Sequence, residues 1–108
     1  MSDRIPPPAI ALIRPAIPMR DIDLHELAER HGYRLVYTVE INIGPRLAIH
    51  ALAAHAAEVE AEAVVVPSFE HADDLRHLIT ENAALITPMQ IYPREYQWPG
   101  ADPERGRA

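Results

Sequence analysis

The sequence contains no cysteine, no lysine, only four glycines and no long apolar run. The missing cysteines exclude a disulfide framework, a thiolate nucleophile and a thiolate metal site. No stretch reaches the roughly 18 apolar residues that a transmembrane helix needs, and the proline-rich start lacks the apolar segment of a secretory signal. We therefore expect a cytoplasmic protein that makes no contact with a membrane.

Positive charge is also scarce. Ten arginines stand against 16 aspartates and glutamates among the 108 residues, which gives a formal net charge of -6. Nucleic-acid affinity depends largely on the neutralisation of phosphates, so an acidic chain is poorly suited to it. We expect no specific binding of nucleic acid near physiological salt.

Nucleotide-binding motifs are missing as well. The sequence has neither GxGxxG nor a P-loop, and phosphate cradles are built from consecutive backbone N–H groups at a glycine-rich turn. A proline, which has no amide hydrogen, follows each predicted strand within a few residues: Pro15, Pro45, Pro67 and Pro88. The sequence therefore predicts no nucleotide and no other cofactor.

The six histidines form three pairs whose members are five or six positions apart: His25 and His31, His50 and His55, His71 and His77. Two metal ligands on one helix stand three or four residues apart, because that spacing puts both rings on one face. We therefore predict surface or half-buried histidines and no metal site.

Short apolar runs alternate with helical segments along most of the chain. Strands are predicted at 9–14, 33–41, 63–67 and 84–88, with helices over about 23–32, 45–61 and 72–82. The alternation predicts an α/β fold: one small three-layer domain with a four-stranded parallel sheet in the order 2-1-3-4 and helices on both faces.

The expected domain covers residues 9–92. A flexible N-terminal arm is predicted over residues 1–8, which end in three prolines, and a mostly flexible C-terminal tail over 93–108. The organisation is therefore one domain between two arms.

The first helix carries the clearest signals. Asp23 and Glu26 have the spacing of a capping box, in which the Asp side chain accepts from the backbone N–H three residues on. Ile22 and Leu27 have the spacing of a hydrophobic staple, and Gly32 is placed to end the helix in the left-handed conformation.

Polar side chains are predicted at the carboxyl edge of the sheet, where ligands bind in such folds. They are Arg14, Arg46, Ser68, Glu70 and His71. In one interpretation Arg14 and Arg46, together with Arg20, form an anion site. In the other they are solvated or paired with Glu40 and Asp21. Ser68, Glu70 and His71 are too close along one loop to predict a converging nucleophile and base, and Ser68 also suits a cap, so no catalytic residue is assigned.

The element order and two arginines resemble the catalytic domain of serine recombinases, the resolvase/invertase family, over about residues 9–90. That family opens with Tyr-x-Arg-Val-Ser; here Arg14 matches the arginine, and Ala16 stands where the nucleophilic serine would be. Arg46 resembles the second family arginine, while the segment 68–72 replaces the family's Asp-Arg-Leu-x-Arg. The resemblance implies a resolvase-like domain that lacks the strand-exchange reaction.

Taken together, these patterns predict a non-catalytic α/β interaction module that works through a protein partner or self-association. Tyr92, Tyr96 and Trp98 are candidate contact residues, because exposed aromatic rings often anchor interfaces. The alternative for these rings is packing against the chain's own helices. Two other functions stay open: a small enzyme or ligand-binding domain that uses the carboxyl-edge residues, and a DNA-associated accessory protein.

Overall fold

A computed structural model describes residues 5–18, 21–41 and 45–99, and of residues 45–49 it describes the backbone alone. The helices and strands are β1 (Pro8–Ile13), α1 (Leu24–Arg30), β2 (Arg34–Glu40), α2 (Pro45–Val59), β3 (Ala63–Val65), α3 (Arg76–Asn82), β4 (Ala84–Ile86) and β5 (Ile91–Tyr92). Two 3-10 turns, Phe69–His71 and Asp73–Leu75, connect β3 to α3.

The strands form one mixed sheet in the order β2-β1-β3-β4-β5. β1 pairs in parallel with β2 and β3, and β3 pairs in parallel with β4, so the sheet is largely parallel. The prediction of four strands, all parallel, is wrong in strand number and full order, because β5 pairs antiparallel with β4. A tight turn returns the chain: the Thr87 N–H donates to the Gln90 carbonyl at 2.9 Å.

Apolar cores lie on both faces of the sheet, so the domain has three layers. Ile10 and Leu12 of β1 point to the face that α2 and α3 cover, while Ala9 and Ala11 point to the face that α1 covers. This follows from the strand geometry, since successive side chains point to opposite faces. All four side chains are fully buried.

The predicted Asp23 cap and the predicted left-handed end of the first helix are confirmed. The Glu26 N–H donates to Asp23 Oδ1 at 3.1 Å, which caps α1. Ile22 packs against the same core as Leu27. Gly32 takes a φ of +86°, the left-handed region in which glycine has no steric penalty.

The third helix starts later than predicted, at Arg76 instead of about residue 72. The preceding residues form the two 3-10 turns, which bury His71 and Leu75. Burial of Leu75 is therefore compatible with a 3-10 turn as well as with an α-helix, so the apolar pattern does not locate the start of the helix.

The chain beyond β5 packs back onto α3 as far as it is described. The Trp98 indole Nε1–H donates to Thr80 Oγ1 at 2.9 Å, and the Glu95 N–H donates to the Thr80 carbonyl. Trp98 is only 7% exposed, so residues 93–99 belong to the domain. The predicted flexible N-terminal arm of residues 1–8 overlaps β1, which begins at Pro8, and the Pro7 carbonyl accepts the Arg34 N–H at 3.0 Å. Residues 1–4 of the arm and 100–108 of the tail lie outside the described residues.

Candidate functional site

The carboxyl edge brings the end of β1 next to the turn after β3. The Arg14 N–H donates to His71 Nδ1 at 2.9 Å, and the Arg14 guanidinium donates to Asp74 Oδ1 at 3.1 Å. The Arg14 side chain is 12% exposed and that of Asp74 is 47% exposed. A carboxylate therefore accompanies the arginine, and it belongs to Asp74 on the approach to α3, whereas the sequence suggested Glu40 or Asp21.

His71 has no solvent exposure, so the prediction of surface or half-buried histidines is wrong for this residue. Because Nδ1 accepts a hydrogen bond, the neutral ring carries its proton on Nε2. Within the described part of the chain Nε2 has no partner of good hydrogen-bond geometry, although the Pro18 carbonyl lies near enough to favour the protonated ring. Burial lowers the pKa of His71, and the Arg14 cation acts in the same direction, against the Pro18 carbonyl and the Glu70 carboxylate. His71 therefore holds the loop after β1 as a neutral ring.

Ser68 and Glu70 do not join His71 in a catalytic arrangement. The Ser68 hydroxyl is buried and has no hydrogen-bond partner among the described residues, and it does not cap the following turn. His71 Nδ1 is already occupied by the Arg14 N–H, so it cannot take a proton from Ser68 in this structure. Glu70 is exposed.

The second predicted arginine, Arg46, lies in the first turn of α2, and its side chain is outside the described residues. Over residues 5–18, 21–41 and 45–99 no three histidine, aspartate or glutamate side chains are grouped to hold a metal ion. None of the helices described there is long and apolar enough to span a membrane.

The aromatic residues after β4 form a packed cluster around Trp98. Its ring centroid lies 4.6 Å from Tyr92, 4.8 Å from Tyr96 and 5.8 Å from Phe69. Trp98 is buried, as the alternative interpretation expected, and its ring is therefore part of the core and not a surface contact. Tyr92 and Tyr96 are half-buried, and their role at an interface stays a prediction.

A groove of about 980 Å³ separates α2 from α3 at the amino ends of β3 and β4. We call it the α2–α3 groove, and its lining residues are Leu52, Ala53, Ala56, Ala57, Glu60, Ala61, Glu62, Val64, Leu78, Ile79, Glu81, Asn82, Ala83, Ala84 and Arg94. The residues at its bottom are buried, with Val64 and Ile79 each 3% exposed. Leu78 on the α3 side is 42% exposed, which leaves a large apolar side chain at the solvent boundary of an apolar floor.

The α2 end of the groove has an unusual backbone conformation. The Ala61 N–H donates to the Ala56 carbonyl at 2.9 Å, and the Glu60 N–H donates to the Ala57 carbonyl at 3.2 Å. These bonds form a Schellman motif, whose left-handed position is usually glycine. Here the position holds Glu60, with a φ of +55°.

No protein-family model, curated protein or solved structure matches this chain. The resemblance to serine recombinases therefore stays a prediction. In the structure Ala16 is exposed in the turn after β1, and Arg14 contacts Asp74.

The groove was not predicted from the sequence. The many alanines of α2 favour close packing of the helix on the sheet, yet Ala53 and Ala57 are exposed. Leu75, Leu78 and Ile79 have the spacing of one apolar helix stripe, whereas only Leu75 and Ile79 are buried. Periodicity identifies the apolar side of a helix but does not measure the gap between two helices.

Proposed function

We propose that this protein is a non-catalytic interaction module that receives an apolar segment of a protein partner in the α2–α3 groove. The observation that carries the proposal is the 42% exposure of Leu78 beside a floor of buried apolar residues. An exposed apolar side chain at the rim of an apolar depression is a feature of binding sites, whereas apolar residues scattered singly over a surface are not.

The polar residues of the carboxyl edge give less support to an enzyme or a small-ligand site. Arg14 is engaged by Asp74, and His71 is sealed from solvent and accepts a backbone hydrogen bond. A ligand at this edge would have to displace contacts that already hold two loops together. The geometry therefore favours a structural role for Arg14 and His71.

The walls of the groove suit close packing with a partner. Ala53, Ala56 and Ala57 give α2 a low side-chain profile on the groove side, so a partner backbone can approach it closely. Docking would bury Leu78, and burial of apolar area is the main favourable term in protein association. The predicted kinship to resolvase-like domains is compatible with such a non-catalytic role.

The proposal is tested with a fluorescein-labelled peptide of about 18 residues, helical in design, with leucines along one face and glutamine and alanine elsewhere. Fluorescence anisotropy should report binding to the wild-type protein. The Leu78→Gln variant should bind several-fold more weakly, because it loses apolar contact at the rim. Met89→Gln is the matched control, since Met89 is 92% exposed and does not line the groove.

The absence of cysteine allows the site of binding to be located. In a buffer that contains oxidised glutathione, which accepts the two electrons, an Ala57→Cys variant should form a disulfide with a cysteine-bearing version of the peptide, and a Glu29→Cys variant on α1 should not. Sedimentation then measures the oligomeric state of the unlabelled protein. A dimer indicates that a second copy of the chain occupies the groove, and a monomer indicates a separate partner. The proposal is wrong if the peptide fails to bind, or if it is trapped equally well at both positions.

A further inference from the structure

We infer that the partner segment is a basic amphipathic helix, which places apolar side chains on the groove floor and lysine or arginine beside the groove glutamates. The inference rests on the proposed function, because it assigns the chemistry of the segment that the α2–α3 groove receives. Three observations carry it: the carboxylates around the groove, the strained position of one of them, and the location of the groove relative to the sheet edges.

The carboxylates belong to both sides of the groove. Glu60 and Glu62 follow α2, and Glu81 lies in the last turn of α3; all three are exposed. No ion pair involves them among the described side chains, although Arg94 also lines the groove. The carboxyl ends of α2 and α3 lie at the same place, and the helix dipole adds negative potential there. Such a surface favours a cationic partner and repels an acidic one.

Glu60 adds a second argument. It occupies the left-handed position of the Schellman motif, where glycine avoids the steric cost that a side chain carries. Strained residues of this kind persist at binding sites, where the side chain has a use that offsets the strain. For Glu60 this use is the attraction of a cationic partner by its carboxylate at the rim of the groove.

The location of the groove selects a helix over an extended peptide. The groove lies over β3 and β4, and each of these strands is paired on both sides within the sheet. No strand edge is therefore available to pair with the backbone of an extended segment. A helix satisfies its own backbone hydrogen bonds and needs only side-chain contact.

The test compares four labelled peptides of about 18 residues. Three share the leucine face and carry lysine, glutamine or glutamate at the flanking positions, and the fourth contains the lysine composition in scrambled order. At about 50 mM salt the lysine peptide should bind about tenfold more tightly than the glutamine peptide, and the glutamate peptide should bind least. The difference should shrink at about 300 mM salt.

Charge variants assign the effect to the groove. Glu60→Gln combined with Glu81→Gln should remove most of the advantage of the lysine peptide. Glu29→Gln combined with Glu40→Gln changes the net charge by the same amount, on α1 and at the end of β2. This control variant should still bind the lysine peptide more tightly than the glutamine peptide. The Glu60→Gly variant should bind the lysine peptide more weakly than the wild type does. The unfolding midpoint of this variant should stay at or above that of the wild type, which separates lost binding from lost folding.

The outcomes separate this inference from the proposed function. If the lysine and glutamine peptides bind equally, the basic partner is wrong, and the docking function stands. If the scrambled lysine peptide binds as tightly as the ordered one, the attraction is general and the helix assignment is wrong. If no peptide binds, both the docking function and the basic partner fail. A Glu60→Gly variant that melts below the wild type would contradict the strain argument.

Discussion

At the scale of single residues, His71 shows how a polar group is used inside this fold. It comes from the turn after β3, and its Nδ1 accepts the Arg14 N–H that follows β1. The sequence correctly predicts His71 at the carboxyl edge of the sheet, but it does not indicate that the ring is fully buried. Burial depends on how the loop after β1 folds over the ring, and no local pattern encodes that arrangement.

The lowered pKa of His71 predicts that acid destabilises the protein. The unfolded chain binds a proton near the ordinary histidine value of about 6.5, whereas the folded ring resists it because it is buried. The stabilising contribution is therefore complete above that value and is lost as the pH falls towards the lowered folded pKa. The free energy of unfolding should decline by up to about 1.4 kcal/mol per pH unit in this window.

Urea unfolding between about pH 5 and about pH 8 measures this decline. In His71→Asn, whose side-chain oxygen can still accept the Arg14 N–H, the profile should be flatter, although the variant starts less stable. His50→Asn, at an exposed position of α2, is the control and should keep the wild-type slope. Parallel profiles for wild type and His71→Asn would show that another group causes the acid sensitivity.

At the scale of elements, local signals predict helices and strands best where capping and periodicity agree. The cap of α1, its left-handed end at Gly32 and the parallel pairing of β1 with its neighbours follow from such signals. β5 was missed because a strand of two residues is too short to show alternation. The sequence does not decide whether Trp98 is buried or exposed, because the proline-rich sequence around it resembles a loop; in the structure it is buried.

The link between Trp98 and α3 predicts the cost of one substitution. Thr80→Val conserves the shape of the side chain but removes the oxygen that accepts the buried indole N–H. An unpaired buried donor costs about 1–3 kcal/mol, so the unfolding midpoint should fall accordingly. Trp98 is the only tryptophan, and its fluorescence reports the transition.

Thr38→Val provides the comparison for this variant, because Thr38 is exposed on β2. It should change stability by no more than about 0.5 kcal/mol. Equal stability of Thr80→Val and wild type would mean that the indole N–H finds another acceptor.

At the scale of the whole molecule, the sequence predicted the α/β layers more fully than the candidate site. Layers follow from the order and period of apolar segments, which are local properties. The α2–α3 groove depends on the distance between two helices that are not adjacent in the chain order, since β3 lies between them. Its residues are ordinary alanines and glutamates, so they carry no motif.

The molecule as a whole predicts an absence of DNA cleavage and strand exchange. Ala16 has no hydroxyl, the Ser68 hydroxyl is buried, and the net charge is -6. A covalent recombinase needs an accessible nucleophile and several cations around the phosphoryl group. Incubation with supercoiled plasmid and magnesium should therefore yield neither nicked product nor a covalent protein–DNA band. A covalent band that disappears in Ser68→Ala would contradict this prediction and the non-catalytic assignment together.

The placement of Trp98 also bears on how the chain folds during synthesis. β2 is synthesised soon after β1, whereas β3, the other neighbour of β1 in the sheet, is synthesised only after α2. Trp98 comes after all of the described strands. The apolar surface that Trp98 covers therefore stays open to water until the ribosome has released residues 93–99. Non-local pairing of this kind slows folding and prolongs the exposure of apolar surface. This interval is when the nascent chain is most open to chaperones and to aggregation.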